Sequence, residues 1–493
     1  MKWLDKQVLA PVALDEAPVE LPTFEHPKLE PEMPLTRLKI RNKIRGYCED
    51  FEIDNDGYKR IMNLLEHEMD KGLGKETNAA ATIKMFPTYV RSLPDGSEEG
   101  NFLALDLGGT NFRVLLITLH GGEVKMESKI YLIPQYIMQG SGNQLFDHLA
   151  DCCAKFMKAH AISHLSLPLG FTFSFPCKQH GIASASLQTW TKGFKCAGVE
   201  GEDVVRMFHE AVKRRKDIDI TCVAILNDTV GTLMSCAHDD HNCEIGLILG
   251  TGTNACYMEK LDNVELWDGD DKEPKQVIIN TEWGAFGDNK CLDWFRTPYD
   301  KEVDEFSLNG GKQVYEKMIS GMYMGEIARL VILKLTQEGL MFGGEVSEEL
   351  ETRQRFYTKY ISEIESDDED EFRNTKQVLE EMGIETFTIE DCRNVRYVCE
   401  QVSTRAAYLA SAGIAVLLNK ISKPEITVAV DGSLYKFHPK FHDRMVDKIS
   451  TLVNPGIKFK LMVSHDGSGR GAAMVAAAVA GIHFKNDVIV SDS

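Results

Sequence analysis

The sequence predicts an α/β protein with two similar lobes, each built on a mixed β-sheet, that face each other across a central cleft. Apolar β-branched runs alternate with helical patterns along the chain, which is typical of sheets covered by helices. The chain has 493 residues, more than one hydrophobic core usually serves. A weak internal repeat indicates that the lobes are related, because 102-FLALDLGGTN-111 and 245-IGLILGTGTN-254 share an apolar strand, a glycine turn and a Gly-Thr-Asn ending.

The predicted elements follow a regular order along the chain. The predicted strands are 102–107, 113–119, 126–133, 222–226, 245–249, 276–280 and 426–430. The predicted helices are 36–49, 57–72, 143–159, 202–215, 313–338, 396–420, 440–453 and 470–482. We expect a tail at 1–34, a first part at 35–226 with the small lobe at roughly 93–226, a large lobe at 227–482, and a second tail at 483–493. The last helix is expected to return to the small lobe.

Bulk composition excludes several classes of protein. The net charge of −20 leaves no basic footprint for nucleic-acid binding. No apolar run approaches the ~20 residues of a membrane helix, so no membrane segment is predicted. The first 22 residues contain four acids and several prolines, unlike a signal peptide or a mitochondrial presequence. Twelve cysteines scattered through apolar segments favour the reducing cytosol.

Three charged clusters are predicted to be structural. The basic run 213-KRRK-216 is expected to be a solvated helix end, and 365-ESDDEDE-371 a solvated loop or helix start. The cluster 236-CAHDDHNC-243 contains four residues of metal-ligand type, but its spacing matches no zinc motif. We therefore predict a surface loop there.

The glycine turns predict phosphate binding. Glycine lets the backbone approach a ligand, and successive N–H groups in such a turn form an anion site. Thr110, Thr251 and Ser433 add hydroxyl donors. Asp106 would repel phosphate, so it is expected to hold Mg²⁺ through water, while Arg113 offsets phosphate charge. A plain hairpin is the alternative for 105–113, and a helix cap is an equally open alternative for 464-SHDGSGRGAA-473.

Polar residues between and after these turns predict a ligand rich in hydroxyl groups. Ser174 interrupts 171-FTFSFP-176, and a lysine lies in 190-WTKGF-194. Asp228 follows an apolar strand, where a general base is well placed, although an N-cap is the competing interpretation. Glu282 also follows a strand, in 280-NTEWGAFGD-288. Short acids and neutral donors together suit a sugar, because each carboxylate accepts two hydroxyls.

The ordered motifs of the chain resemble those of the eukaryotic hexokinase family, which includes glucokinase. They are LDLGGTNFRV, LGFTFSFPC, WTKGF, NDTVGT, LGTGTNACY, EWGAFGD, YEKMISGMYMGE and VAVDGSLYK. The resemblance covers about residues 36–482, and the length resembles one catalytic unit instead of a fused pair. It implies the two-lobed actin-like ATPase fold shared by sugar kinases, and ATP:D-hexose 6-phosphotransferase activity. The implied substrates are MgATP and glucose or other hexoses.

The resemblance also implies a set of site residues. The sugar site would contain Ser174, Phe175, Thr191, Lys192, Asn227, Asp228, Asn254, Glu282, Gln313 and Glu316. The nucleotide site would contain Asp106, Gly108, Gly109, Thr110, Asn111, Arg113, Gly250, Thr251, Gly321, Thr358, Ser362, Gly432 and Ser433. Two positions depart from the family pattern. Met322 replaces a frequent lysine, which puts a charged nucleotide contact in doubt, and Lys359 replaces a more usual arginine.

A mechanism follows from these roles as a hypothesis. Asp228 would accept the proton of the sugar 6-hydroxyl as it attacks the γ-phosphate, and Lys192 would stabilise the developing charge. Sugar binding would close the lobes and exclude water. Two rivals remain: an actin-like or chaperone-like ATPase without a sugar site, and a sugar sensor that has lost catalysis. Release of ADP that depends on glucose would distinguish a sugar kinase from both rivals.

Overall fold

Two mixed sheets with equivalent strand orders form the centre of the computed structural model. It describes residues 34–94, 97–108, 111–121, 123–188, 190, 194–368, 370–464 and 467–490, with the backbone alone at 34–37 and 481–490. The strands are β1 Phe86–Pro87, β2 Gly100–Leu107, β3 Asn111–His120, β4 Glu123–Leu132, β5 Ser166–Phe173, β6 Cys177–Gly181, β7 Ser184–Leu187, β8 Asp219–Leu226, β9 Cys243–Leu249, β10 Thr253–Lys260, β11 Gln276–Asn280, β12 Glu425–Asp431 and β13 Lys458–Val463.

The helices cover both sheets. They are α1 Pro34–Cys48, α2 Asn55–Leu73, α3 Gln135–Met138, α4 Gly142–Ala159, α5 Val204–Arg215, α6 Asp228–Ala237, α7 Pro298–Glu305, α8 Val314–Ile319, α9 Met324–Gln337, α10 Glu348–Glu351, α11 Thr358–Glu365, α12 Arg373–Glu381, α13 Ile389–Ile421, α14 Ser433–Phe437, α15 Phe441–Leu452 and α16 Gly467–Val490. Within the described part of the chain, none of them combines the length and apolar character needed to cross a bilayer.

The sequence repeat is a repeat of structure. The first sheet has the order β4-β3-β2-β5-β8, and the second has β11-β10-β9-β12-β13 with β1 added at the edge of β11. In each sheet three antiparallel strands are followed by two parallel ones. The predicted α/β fold with duplicated mixed sheets is therefore confirmed.

Two helices fill the space between the sheets. α16 packs across β2, β5 and β8 and against α6, and α6 packs on β9 and β12. Their backbones touch, because a Cβ added at Gly471 would lie 1.8 Å from the carbonyl oxygen of Gly231. A Cβ at Gly170 of β5 would lie 1.9 Å from the carbonyl oxygen of Ala472. Glycine is required at both crossings, since no side chain fits between the backbones.

The long helix α13 is the centre of the larger core. It packs against α2, α8, α9, α11 and α15 and is buried along most of its length. It begins at a capping box in which Thr388 and Asp391 each accept the other's backbone N–H. The helix predicted at 396–420 is therefore real but begins earlier than expected.

The single helix predicted at 313–338 is wrong, because α8 ends at Ile319 and α9 begins at Met324. The N–H groups of Gly321 and Met322 donate instead to the carbonyls of Gly250 and Thr251, at 2.8 and 3.2 Å. The second glycine turn thus interrupts the helix. The predicted set also lacked six strands, β1, β5, β6, β7, β10 and β13.

The charged clusters differ in outcome. Residues 238–242 form the predicted loop between α6 and β9, but Cys236 belongs to α6 and Cys243 to β9, and both are buried. The basic run at the end of α5 is only partly solvated, because Arg214 and Arg215 pair with Asp147 and Asp151 of α4. The prediction of a solvated acidic loop at 365–371 is wrong for Glu365, whose side chain has no exposure.

Candidate functional site

The first glycine turn joins β2 to β3, so the predicted hairpin is confirmed. Leu107 pairs with Phe112 across it, and Asn111 begins β3. Gly109 and Thr110, predicted at the tip, lie outside the described residues. A Cβ added at Gly108 would lie 3.8 Å from Ser174 Oγ, so the turn lies directly beside the end of β5.

Asp106 and Arg113 are paired with each other. Arg113 Nη2 donates to Asp106 Oδ2 at 2.9 Å, and both side chains are largely buried. Ser468, at the start of α16, donates its hydroxyl to the same oxygen at 2.7 Å. The predicted roles, metal for Asp106 and phosphate for Arg113, therefore fall on two residues that contact each other.

The N-terminus of α16 lies between the carboxyl edges of the two sheets. Ser468 contacts Asp106 of β2, and a Cβ at Gly467 would lie 3.1 Å from Asp431 Oδ2 at the end of β12. Ser174 and Asn227 follow β5 and β8 at the same edge of the first sheet. Ligands of open α/β sheets bind at such edges. The carboxyl edges of the two sheets therefore both lie next to the start of α16.

The second glycine turn is assembled from three distant segments. The carbonyl of Gly250 accepts the N–H of Gly321, and its own N–H donates to Gly252 at 3.0 Å. Gly432 has φ of 119°, and a Cβ there would lie 2.2 Å from the carbonyl oxygen of Leu249. The structure thus brings together Gly250, Gly321 and Gly432, as predicted for one site.

A cavity of about 810 Å³ opens beside this turn, and we call it the glycine-turn cavity. Its lining contains six predicted residues, Gly250, Thr251, Gly321, Thr358, Ser362 and Ser433. Gly108, Asn111 and Arg113 belong to the other sheet and do not line it. Met322 lies in its lining and is 54% exposed. The volume is within the range of small-molecule sites.

Several lining residues were missed by sequence reasoning. They are Glu326, Gln354, Phe356, Tyr357, Glu363, Ser366, Leu434 and Phe437, while Lys359, which was noted only as a departure from the family pattern, also lies in the lining. Aromatic residues flank two predicted ones, since Phe356 and Tyr357 precede Thr358, and Phe437 ends the helix that Ser433 begins. That flanking pattern was the available signal for an apolar wall.

Amide and carboxylate groups form a second cluster at the ends of β10 and β11. Asn254 Nδ2 donates to Asn280 Oδ1 at 2.8 Å and to Glu282 Oε1 at 3.2 Å. Asn280 Nδ2 donates to the same Glu282 oxygen at 2.8 Å. Asn280 was not predicted, although its place two residues before Glu282 at a strand end was a signal. Their mutual hydrogen bonds hold these amide and carboxylate groups in fixed orientations.

Two residues of the predicted sugar site have left-handed backbone conformations. Glu282 has φ of 55° and Gln313 has φ of 57°. Such strain in residues other than glycine is concentrated at functional sites. Nearby glycines make room for the side chains, because a Cβ at Gly284 would lie 2.2 Å from Gln313 Oε1, and one at Gly252 would lie 2.5 Å from Glu316 Oε2. Glu316 Oε2 also accepts the N–H of Thr253 at 2.9 Å.

Asp228 is the first residue of α6, and the competing N-cap interpretation for it is wrong. Asn227 is the N-cap, and its Oδ1 accepts the N–H of Thr229 at 3.0 Å. The half-buried Asp228 carboxylate is therefore not used as the cap.

Two acidic residues of the predicted sugar site contribute to the raised pKa of two cysteines. Burial, with the Asp228 carboxylate adding to the effect, raises the pKa of Cys256 on β10 to about 12. Burial and then the charge of Glu282 raise the pKa of Cys177, three residues after Ser174, to about 12. Asp228 and Glu282 therefore each lie near residues of the opposite sheet.

Aromatic rings pack together at both ends of the WTKGF motif at 190–194. Phe175 is buried, and its ring packs 4.9 Å from Trp190 and 5.1 Å from Phe194, measured between ring centroids. Thr191 and Lys192, the two predicted residues between these aromatics, lie outside the described residues.

Comparison with known proteins gives matches over most of the chain. Two sequence profiles, both described as hexokinase, match residues 43–238 and 244–478. Hexokinase-2 of Homo sapiens is 49% identical over 438 residues, which cover 87% of this chain and 47% of that protein. Hexokinase HKDC1 of Mus musculus is 49% identical over 443 residues, covering 89% of this chain and 48% of that protein. The chain thus spans about half the length of these curated relatives.

Two solved structures match over nearly the whole of their own chains. A hexokinase from Schistosoma mansoni, complexed with glucose, has a TM-score of 0.82 and 45% identity, covering 90% of this chain and 99% of that one. A second crystal structure of a hexokinase has a TM-score of 0.79 and 30% identity, covering 90% of this chain and all of that one.

Proposed function

Because the chain belongs to the hexokinase family, we propose that it transfers the γ-phosphoryl group of MgATP to the 6-hydroxyl of glucose and related hexoses. One observation carries the proposal. A nucleotide-sized cavity at the glycine turn of one sheet accompanies a cluster of amides and carboxylates at the carboxyl edge of the same sheet. Phosphoryl transfer requires that two such ligands be held in line.

The sugar would bind to side chains from both sheets. Asn254, Glu282, Gln313 and Glu316 would be contributed by the second sheet and the α8 segment, and Ser174, Phe175, Asn227 and Asp228 by the first. Thr191 and Lys192 would complete the set. Since the carboxylates accept pairs of hydroxyls, the arrangement favours a pyranose over an apolar ligand.

The nucleotide would bind across both glycine turns. Thr358, Ser362 and Ser433 would contact it in the glycine-turn cavity, beside Gly250, Thr251, Gly321 and Gly432. Gly108 to Asn111 and Arg113 would contact its phosphates from the first sheet. Met322 would supply an apolar rim and no charge.

The residues fit Mg²⁺ that enters with the nucleotide. Asp106 supplies a hard carboxylate oxygen beside the first turn, and one such ligand suffices for an ion held mainly by phosphate and water. Among the described residues there is no group of three or more His, Cys, Asp or Glu that would form a separate metal site. When bound, Mg²⁺ would neutralise phosphate charge.

Asp228 would be the general base. It lies at the start of α6, near β10, and a base in this place would accept the proton of the 6-hydroxyl during attack. Lys192 would stabilise the charge that develops on the transferred group. Because sugar residues come from both sheets, sugar binding would draw the lobes together and exclude water.

A coupled assay with glucose and ATP tests the proposal. We expect ADP to be released only when glucose is present, together with a hexose 6-phosphate. Equal ADP release without glucose would favour an ATPase without a sugar site. Glucose binding without ADP release would favour a sensor that has lost catalysis.

We place the enzyme in the cytosol and its lobe boundary near residues 226–227. All twelve cysteines are free, which suits a reducing compartment. The boundary falls between β8 and α6, where the chain leaves the first sheet. α16 would belong with the small lobe, because it packs on β2 and β5.

A further inference from the structure

A buried group of polar side chains lies behind the glycine-turn cavity, and we call it the wall cluster. It consists of Glu365, Ser403, His438 and Arg444. Glu365 ends α11, which forms one wall of the cavity, and His438 directly follows α14, which forms another. The cluster is therefore the place where the two walls are joined.

Glu365 is the common acceptor of the cluster. Its Oε1 accepts from the Ser403 hydroxyl and from His438 Nε2, the latter at 3.1 Å, and its Oε2 accepts from Arg444 Nη2 at 2.7 Å. The side chains of Glu365 and His438 have no exposure. Buried donors that lose their acceptor are costly, so the geometry depends on this carboxylate.

His438 is fixed by contacts on both ring nitrogens. Its Nδ1 lies 3.2 Å from the backbone nitrogen of Lys440, and its Nε2 lies 3.1 Å from Glu365 Oε1. These two contacts hold the ring in one orientation. Burial raises the pKa of Glu365, but the hydrogen bond and charge of His438, followed by the charge and hydrogen bond of Arg444, outweigh burial and lower this pKa to about 2.

We propose that Glu365 and His438 are positioning residues for the nucleotide, because they set the separation of α11 and α14. Ser362 lies on α11, one turn before Glu365, and Ser433 begins α14, so the cluster fixes the width of the cavity between them. Neither positioning residue lines the cavity. The inference rests on the proposed function, since it assigns the cavity to the nucleotide.

The variant E365Q tests the proposal by calorimetric titration with ADP and, separately, with glucose. The Gln amide NH₂ cannot accept hydrogen bonds, so one of the donors facing Glu365 loses its partner. We expect ADP to bind at least about fivefold more weakly and glucose to bind within about twofold of the wild type.

A second buried ion pair on α13, the helix that contains Ser403, provides a matched control. Arg405 of α13, two residues from Ser403, makes two buried bonds of 2.6 Å to Asp300, and neither residue lines the cavity. D300N also breaks a buried ion pair, yet it should leave ADP affinity within about twofold of the wild type.

The outcomes separate the two proposals. Failure of the wild type to bind ADP would overturn the proposed function, whatever the variants do. If the wild type binds ADP and E365Q binds it equally well, the positioning role is wrong. An equal loss in D300N would also overturn it, by showing general loosening of the lobe. If E365Q does not fold, H438Q is measured in the same way, and unchanged ADP affinity in it would refute the positioning role.

Discussion

Substitution of Gly252 by Ala tests the sugar site through a residue that carries no functional group. A Cβ at position 252 would lie 2.5 Å from Glu316 Oε2, whereas carbon–oxygen contacts are normally about 3.3 Å or longer. The Glu316 carboxylate must therefore move by roughly 0.8 Å. Its Oε2 then loses the N–H of Thr253, a bond of 2.9 Å that fixes its direction.

The magnitude follows from that bond. A hydrogen bond to a charged group contributes about 1.5–3 kcal/mol. If Glu316 binds the sugar, misplacing it should raise the KM for glucose by roughly 10- to 100-fold, since about 1.4 kcal/mol corresponds to a factor of ten. The KM for ATP should change little, because Glu316 does not line the glycine-turn cavity.

The assay is steady-state kinetics with glucose varied at saturating ATP, with thermal unfolding measured in parallel. Gly46 provides a control, because a Cβ there meets nothing within 4 Å, and G46A should leave both KM values at those of the wild type. An unchanged KM for glucose in G252A would refute the reasoning. So would equal increases in both KM values.

Three further predictions concern the base, the buried acid and the helix crossing. D228A should lower kcat by about 10²- to 10⁴-fold while calorimetry still detects glucose binding, and near-normal turnover would contradict the role of Asp228 as base. Glu365, with its pKa lowered from 4.5 to about 2, should contribute about 3 kcal/mol of stability that is present above pH 4.5 and is lost as pH falls toward 2. Urea unfolding at a series of pH values should show this loss in the wild type but not in E365Q. If the free energy of unfolding changes equally with pH in both proteins, Glu365 does not contribute this stability. G471A should destabilise the fold by about 2 kcal/mol or more, because its Cβ would lie 1.8 Å from the Gly231 carbonyl. A wild-type unfolding midpoint in urea for this variant would contradict the close contact of α6 and α16.

The sequence pattern correctly predicted those elements whose main contacts are with residues nearby in the sequence. The hairpin at 105–113 was predictable because its apolar strands and glycines are adjacent in sequence. The repeat near residue 250 predicted the second turn for the same reason. Asn227 and Asp228 were both placed at the strand end, but which of them caps α6 is decided by side-chain direction, and that is not visible in the sequence.

Distant partners explain what was missed. Glu365 looks solvated within 365-ESDDEDE-371, but His438 and Arg444 lie more than 70 residues away and bury it. The break between α8 and α9 depends on carbonyls of Gly250 and Thr251, also about 70 residues away. The apolar periodicity of 313–338 remains helical throughout, and Ser320-Gly321 was the local signal for a break, because that dipeptide often marks a turn.

The second glycine turn has a consequence for the protein while it is being synthesised. Gly250, Gly321 and Gly432 meet only after the chain has been made through α14, and Ser468 reaches Asp106 later still. A nascent chain that has passed residue 250 but not 432 therefore has the motif without the cavity. Nucleotide held in the glycine-turn cavity, as proposed above, would therefore not stabilise folding intermediates that end before α14, and those intermediates would depend on their own hydrophobic core.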